Sequence, residues 1–265
     1  MDVIRRFHTK SGIAYAEQGA GEPLVLIHGV GMRLEAWAPQ MAALGRSHRV
    51  IAVDMPGHGE SRALPEEAGL DAFVAWLGLF LDDLELDRAN VAGHSMGALI
   101  AGGAAATFGS RVSRVALLNA VYRRDAAASA AVIDRAREIR AGQVDVDGPL
   151  LRWFGADSRE SGAYRLTHRW LSSVDRGGYA TAYAAFAAGD STYADCWPNV
   201  GCPALFLTGT DDPNSTPAMA QAMADAAPNG YAVLIDGHRH MVNLTAPDEV
   251  NAILSEWLEK PEEKR

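Results

Sequence analysis

The sequence contains little cysteine, no excess of basic residues and no long hydrophobic run. Its two cysteines, Cys196 and Cys202, lie six positions apart without an accompanying ligand pattern, which argues against a disulfide framework or a thiolate metal site. The net charge of −9 gives no positive surface for a phosphate backbone, so we expect no nucleic-acid partner. The apolar stretches are short, and the first ten residues lack the apolar centre of a signal peptide. These absences predict a cytoplasmic protein without a membrane contact.

What the sequence does contain is the composition of a folded globular protein. Hydrophobic residues make up 48% and charged residues 22% of its 265 residues, and this length predicts one domain with an insertion. Short β-branched runs alternate with longer segments rich in Ala and Leu. The predicted strands are 23–28, 49–54, 90–94, 114–119, 204–209 and 231–236, and the predicted helices are 34–44, 70–86, 96–108, 217–226 and 247–258. Because such alternation needs crossover connections, we expect a mostly parallel sheet coated by helices.

Two parts of the chain depart from this alternation. The N-terminal segment has two short strands around Ser11 and Gly12, which predicts an antiparallel hairpin at one edge of the sheet. From about 120 to 195 the pattern is helical and rich in Ala, Arg and aromatic residues. An insertion of this size between two strands predicts a helical cap over residues 121–195, with residues 1–120 and 196–265 forming the core.

A single serine, Ser95, lies between two glycines in the stretch "GHSMG". The stretch follows a predicted strand and opens a predicted helix, where a sharp turn would hold a nucleophilic hydroxyl away from its own backbone. We expect Gly93 and Gly97 there because a Cβ at either position would collide with the neighbouring strand or helix. The backbone N–H of Met96, at the helix start, is then free to donate to an oxyanion. The alternative is a serine that only caps the helix.

A nucleophilic serine needs a base, and the base needs an acid that orients it. Two histidines, His238 and His240, follow the last predicted strand, on a loop at the carboxyl edge of the sheet. Two carboxylates, Asp211 and Asp212, follow the preceding strand. The residue pattern alone leaves both choices open, in the chain order Ser, Asp, His.

Five stretches in this order resemble the α/β-hydrolase fold superfamily nearly from end to end. They are "VLIHGVG" (25–31), "VIAVDMPGHGES" (50–61), "GHSMG" (93–97), "GTDD" (209–212) and "GHRHMVNLTAP" (237–247). The resemblance implies an α/β fold with an eight-stranded, mostly parallel sheet flanked by helices and a helical cap inserted after the sixth strand. It also implies a hydrolase that acts on a small-molecule substrate without a cofactor or metal ion, and it allows a homodimer.

The resemblance separates the two histidines and the two aspartates. In relatives the catalytic histidine commonly lies seven residues before the proline of the last helix, which selects His240, although the glycine that often precedes this histidine lies before His238. Relatives place the acid three positions after the glycine that ends the strand, which selects Asp212 over Asp211. The implied triad is therefore Ser95, Asp212 and His240.

The resemblance also assigns the groups around the triad. Val30, after His-Gly, and Met96, after the nucleophile, would supply the two backbone N–H groups of the oxyanion hole. The expected substrate pocket includes His28, Gly29, His94 and Trp153.

The sequence departs from the family pattern at two positions. Some relatives carry the acid after the earlier strand, where this chain has Asn119, and an amide cannot stabilise an imidazolium as an anion does. Relatives often have Glu five residues after the catalytic histidine, where this chain has Thr245.

The chemistry implied is hydrolysis of a carboxylic ester, thioester, lactone or enol-lactone. The cap arginines Arg123, Arg124 and Arg152 suggest a substrate that carries a carboxylate. One alternative is hydrolysis of carbon–carbon bonds in ring-cleavage diketones, although such relatives usually have Asn and Trp at the positions of His94 and Met241. Perhydrolysis and a non-catalytic ligand-binding role are further alternatives. A dinucleotide site is not expected, because "GVGMRL" and "GHGESR" lack the third glycine of its loop.

Overall fold

The computed structural model describes residues 4–261, so the outer ends of the predicted core, 1–3 and 262–265, lie outside the described residues. Within that range the chain forms one eight-stranded sheet flanked by ten α-helices. The strands are β1 (Phe7–His8), β2 (Ala14–Gln18), β3 (Pro23–Ile27), β4 (Arg49–Val53), β5 (Ala89–His94), β6 (Val112–Leu118), β7 (Ala204–Gly209) and β8 (Gly230–Ile235). The helices are α1 (Ala38–Leu44), α2 (Leu70–Asp83), α3 (Met96–Phe108), α4 (Ala126–Arg140), α5 (Asp147–Phe154), α6 (Gly162–Ser172), α7 (Arg176–Gly189), α8 (Pro217–Ala226), α9 (Val242–Thr245) and α10 (Pro247–Leu258).

The strand order places the carboxyl ends of six strands at one edge. The order across the sheet is β1-β2-β4-β3-β5-β6-β7-β8. The β1–β2 and β2–β4 pairs are antiparallel, and every later pair is parallel. The predicted fold class and the N-terminal hairpin are thus confirmed. Loops that follow β3 to β8 all emerge at the same edge, which is where a site can be assembled from distant parts of the chain.

The sheet is buried on both faces because neighbouring side chains of a strand point to opposite sides. In β3, Val25 and Ile27 belong to the apolar core beneath α2, α3 and the inserted helices. Leu24 and Leu26 belong to the core on the other face, together with apolar residues of α1 and α10. This double burial explains why the strand shows no polar alternation in the sequence.

The predicted helix over 34–44 is divided in the structure. Leu34–Trp37 forms a 3-10 turn, and the α-helix begins only at Ala38. Pro39 has no N–H to donate to the carbonyl of Glu35, so a continuous α-helix would lose that bond. In the first turn of α1 the missing N–H has no cost, which places the helix start at this proline.

Four helices, α4 to α7, lie between β6 and β7, and we refer to them as the insertion. Its position after the sixth strand is confirmed, whereas the boundaries 121–195 stay a prediction. The insertion contacts the core closely at Gly57 and Gly178 of α7, where a Cβ on either glycine would lie 2.4 Å from the Cα of the other. Within residues 4–261 no helix is both long and apolar enough to cross a membrane.

Candidate active site

Ser95 is the single residue between β5 and α3. Its backbone has φ +55° and ψ −116°, a conformation that residues with a side chain rarely adopt. Its N–H donates to the carbonyl of Leu118 at 2.9 Å, which ties the turn to β6. The hydroxyl accepts no hydrogen bond from the start of α3, so the serine does not cap the helix with its side chain. The turn instead presents the hydroxyl to a histidine across the sheet edge.

The two glycines around Ser95 make this turn possible. A Cβ on Gly93 would lie 2.0 Å from the carbonyl oxygen of Gly97, inside α3. A Cβ on Gly97 would lie 2.2 Å from the carbonyl oxygen of Ile27, at the end of β3. Both contacts are with backbone atoms that cannot rotate away, so the predicted collisions are confirmed.

The structure brings Ser95, His240 and Asp212 into one hydrogen-bonded chain. His240 Nε2 lies 3.1 Å from Ser95 Oγ, and His240 Nδ1 lies 2.8 Å from Asp212 Oδ2. All three side chains are buried. This is the spacing of a nucleophile, a base and the acid that orients it.

The two rival residues lie outside that chain. His238 Nδ1 lies 2.9 Å from the hydroxyl of Thr245, so the threonine at the family's glutamate position holds this histidine instead. Asp211 is exposed, and its contact with this loop is a backbone bond to the His238 carbonyl at 3.0 Å. The geometry therefore agrees with His240 and Asp212 as the implied pair.

Asp212 is held by more than the histidine. Its Oδ2 accepts a hydrogen bond from the Asn119 side chain at 2.9 Å, and its Oδ1 accepts one from the Asn214 N–H at 2.8 Å. Burial alone would raise the pKa of Asp212, but His240 and these donors together hold it below its ordinary value. Sequence reasoning treated Asn119 only as a departure from the family pattern. Its position at the end of β6, beside the end of β7, was the signal for this contact.

The two predicted oxyanion donors lie at the cavity, Met96 as the residue after Ser95 and Val30 as a residue of the same cavity wall. Met96 is the first residue of α3, and Val30 follows β3 in a turn closed by the Met32 N–H donating to the Gly29 carbonyl at 3.1 Å. The next amide, of Gly31, donates to His58 Nε2 at 2.9 Å. The N–H groups of Val30 and Met96 donate to no other residue in the described range. They are thus available to an oxyanion, the role that the sequence predicts for them.

Three of the four predicted pocket residues lie behind the cavity instead of lining it. His28 Nε2 accepts the Met55 N–H at 2.9 Å, and His94 Nε2 donates to the His240 carbonyl at 2.7 Å. Gly29 packs closely against the His94 ring, because a Cβ on this glycine would lie 3.0 Å from His94 Nδ1. Burial lowers the pKa of His28, and it lowers that of His94 to about 3, so both rings are neutral structural groups.

The fourth, Trp153, does line a cavity of about 590 Å³ above Ser95 and His240. Its ring stacks on the His240 ring with centroids 5.9 Å apart, and its carbonyl accepts the His240 N–H at 3.2 Å. The remaining walls come mainly from the start of the insertion, α4, α5 and α7. On the core side the cavity is lined by Val30 and by residues between β7 and the first turn of α8, namely Pro213, Asn214, Thr216 and Met219. In the part of the chain that the structure describes, no group of three or more His, Cys, Asp or Glu side chains is arranged to hold a metal ion.

Comparison with known proteins agrees with this architecture. A sequence profile described as the alpha/beta hydrolase family matches residues 24–253. The chain is 52% identical over 245 residues to the (E)-2-((N-methylformamido)methylene)succinate hydrolase of Acinetobacter baylyi, covering 92% of this chain and 93% of the relative.

Two solved structures have a similar fold. The enol-lactonase of Burkholderia xenovorans LB400 is 28% identical with a TM-score of 0.85, and the alignment covers 97% of this chain and all of that one. A thermophilic esterase of Thermogutta terrifontis is 24% identical with a TM-score of 0.86, over 96% of this chain and 98% of that one, which is a likeness of fold alone. With the profile spanning most of its length, the chain belongs to the alpha/beta hydrolase family and is a hydrolase.

Proposed function

We propose that this hydrolase cleaves a small acyl compound with Ser95 as nucleophile, His240 as base and Asp212 as the orienting acid. The observation that carries the proposal is the hydrogen-bonded chain of these three side chains, which ends at Ser95 in the wall of the cavity. A serine held at φ +55° is a strained turn, and such strain persists where it serves a function.

In the first step His240 Nε2 takes the proton of Ser95 Oγ, and the oxygen attacks the carbonyl carbon of the substrate. The carbonyl oxygen becomes an oxyanion, which the N–H groups of Val30 and Met96 stabilise. Asp212 remains ionised because its pKa lies below the ordinary value, and it stabilises the imidazolium that forms.

In the second step the tetrahedral intermediate collapses. The bond from the carbonyl carbon to the leaving oxygen, nitrogen or sulfur breaks, and His240 returns its proton to the leaving atom. Water then attacks the acyl-enzyme with His240 again as base, and the carboxylic acid leaves as Ser95 regains its proton.

The substrates that fit this mechanism include the esters, thioesters, lactones and enol-lactones that the sequence suggests. The Acinetobacter baylyi relative adds a further class, because its name contains an N-formyl group on a methylene-succinate. At 52% identity along the whole fold, an N-acyl compound of this type is the substrate that we would test first.

The test is labelling by a fluorophosphonate probe together with turnover of p-nitrophenyl acetate, simple lactones and an N-acylaminomethylene succinate. We expect labelling and turnover in the native protein and their loss, by at least about 1,000-fold in rate, in Ser95→Ala. Circular dichroism of the variant controls for folding. Turnover that survives in Ser95→Ala would overturn the proposal, and a vinylogous diketone and hydrogen peroxide in the panel test the carbon–carbon and perhydrolase alternatives.

A further inference from the structure

The wall of the cavity above Ser95 contains six residues with charged side chains. Three are arginines, Arg124, Arg135 and Arg152, and three are acids, Asp125, Asp134 and Glu138. Opposite charges that pair within the wall largely cancel, so they contribute little electrostatic potential at the position of a ligand. The pairing of each group therefore decides what the cavity can bind.

Most of these charges are already paired. Arg135 lies 3.1 Å from Glu138 and 3.7 Å from Asp145. Asp134 lies 2.6 Å from Arg137, a neighbour on the exposed side of α4. The third acid of the wall, Asp125, accepts the N–H of Ala128 at 2.8 Å and caps α4.

Arg124 is only partly satisfied. Its side chain is 4% exposed, its Nη1 lies 3.3 Å from Asp190, and its guanidinium stacks on the Phe186 ring at 4.4 Å. Its Nη2 is buried and donates to no acceptor within residues 4–261. A buried donor without an acceptor is unfavourable, and a carboxylate oxygen that reaches Nη2 from the cavity would satisfy it.

Arg152 is the second cation available to a ligand. Within the described range no carboxylate lies close enough to pair with it, and it is the residue before Trp153, whose ring stacks on His240. Arg152 is exposed and lines the same cavity wall as Ser95 and His240. Burial raises the pKa of Tyr183, while the charges of Arg135, Arg152 and Arg124 act to lower it. The guanidinium groups thus lie near one phenol in the cavity wall.

We propose that this cavity binds dicarboxylates, with one carboxylate at Arg124 and the other at Arg152. This proposal rests on the proposed function, because it takes the bound dicarboxylate to be the substrate whose acyl group Ser95 attacks. Two cations at separate places select a dianion over a monoanion, because a monocarboxylate leaves one of them unpaired. The succinate in the name of the Acinetobacter baylyi relative has this charge pattern.

The test is calorimetric binding of succinate and of butyrate, a monocarboxylate of equal length, to Ser95→Ala. We expect succinate to bind at least tenfold more tightly than butyrate. Adding Arg152→Gln or Arg124→Gln should weaken succinate binding by about 10- to 100-fold, as for a hydrogen bond to a charged group. Arg123→Gln is the matched control and should bind as the parent does, because Arg123 is half-exposed, pairs with Asp195 and lies outside the cavity wall.

Equal binding of succinate and butyrate, or succinate binding that is insensitive to both substitutions, would overturn the proposal. Arg124→Lys, which keeps the charge, separates loss of the carboxylate site from misfolding of the buried Arg124→Gln. Failure of this proposal can be told apart from failure of the proposed function. The proposed function fails if turnover does not depend on Ser95, whereas succinate binding is measured in a protein that does not turn over.

Discussion

The side-chain amide of Asn119 donates a hydrogen bond at 2.9 Å to Asp212, on the same carboxylate oxygen that lies 2.8 Å from His240. Asn119 is itself held in a left-handed conformation at φ +51°, with its carbonyl accepting the Ser215 hydroxyl at 2.7 Å. The end of β6 thus fixes the direction in which the acid points. Asn119 is a positioning residue that acts on the base through Asp212.

Asn119→Ala removes this donor and leaves Asp212 Oδ2 with His240 alone. Loss of one hydrogen bond to a charged acceptor predicts a fall in kcat of about 10- to 100-fold with little change in KM. The pKa of Asp212 should rise, because a donor that favours its ionised form is gone. Since the ionised form is the active one, the acid side of the pH–rate profile should move to higher pH.

The control for Asn119→Ala is Thr208→Val, which removes a second and longer contact of the Asn119 amide at 3.2 Å together with the bond that the Thr208 hydroxyl donates to the Ser215 carbonyl at 2.6 Å, and leaves the Asn119 bond to Asp212 in place. We expect a smaller loss of kcat and no movement of the acid side of the profile. An unchanged profile in Asn119→Ala would contradict the positioning role.

The two histidines of the β8 loop should differ sharply when substituted. His240→Ala removes the only described imidazole within hydrogen-bond distance of the Ser95 hydroxyl, so we expect a loss of at least about 1,000-fold in kcat. His238→Ala removes a contact with Thr245 and should keep kcat within about threefold. Steady-state turnover of p-nitrophenyl acetate measures both, and the reverse order of activities would show that the base is His238.

Gly97 should tolerate no side chain. Gly97→Ala places a Cβ 2.2 Å from the Ile27 carbonyl oxygen, which forces α3 away from β3, and we expect a loss of about 1–3 kcal/mol in the free energy of unfolding. The matched control is Gly102→Ala in the same helix, where the nearest atoms belong to the Trp197 side chain at 3.2 Å. There the gain in helix propensity offsets the closer packing, and stability should change by less than about 1 kcal/mol. Urea unfolding compares the two, and equal losses would contradict the collision.

The buried His58 should make the protein less stable in acid. Burial lowers its pKa to about 4, below the ordinary 6.5, so between these values the unfolded chain binds a proton that the folded chain does not. The stabilisation is complete above pH 6.5 and is lost as the pH falls towards 4. From pH 7 to pH 5 this one residue predicts a loss of about 2 kcal/mol.

His58→Gln tests this expectation, because the amide oxygen still accepts the Gly31 N–H but does not titrate in this range. Urea unfolding at pH 7 and pH 5 should show a smaller pH-dependent loss in the variant, by about 2 kcal/mol. Equal losses in the two proteins would show that His58 takes no part in the acid response.

The sheet was predictable because β3 to β7 are buried and their apolar runs are continuous. The predicted strand 204–209 and the predicted helices 96–108, 217–226 and 247–258 match the structure at both ends. The meeting of the loops that carry Ser95, Asp212 and His240 was also predictable, because parallel strands deliver their following loops to one edge. The choice of His240 over His238 and of Asp212 over Asp211 came from the family resemblance and not from the residue pattern. The apolar periodicity predicted one helix over 34–44, because such a pattern carries no information about a missing N–H donor. Pro39 lacks that donor, and the α-helix begins only at Ala38.

Side-chain direction was not predictable from the motifs. His28 and His94 stand next to residues of the site in sequence, yet their rings bond to Met55 and to the His240 carbonyl inside the core. Of the three arginines suggested from the sequence, Arg124 and Arg152 line the cavity and Arg123 does not. Arg123 and Arg124 lie in the irregular segment before α4, and Arg123 has a left-handed backbone at φ +47°, so no helix or strand periodicity could predict which of the two faces the cavity.

Trp153, in α5, contacts His240 twice, because its carbonyl accepts the His240 backbone N–H and its ring stacks on the imidazole. The position of α5 and the orientation of the base are therefore coupled, since displacing the helix would remove both contacts. A substitution that shifts α5 acts on the imidazole as well as on the space in the cavity.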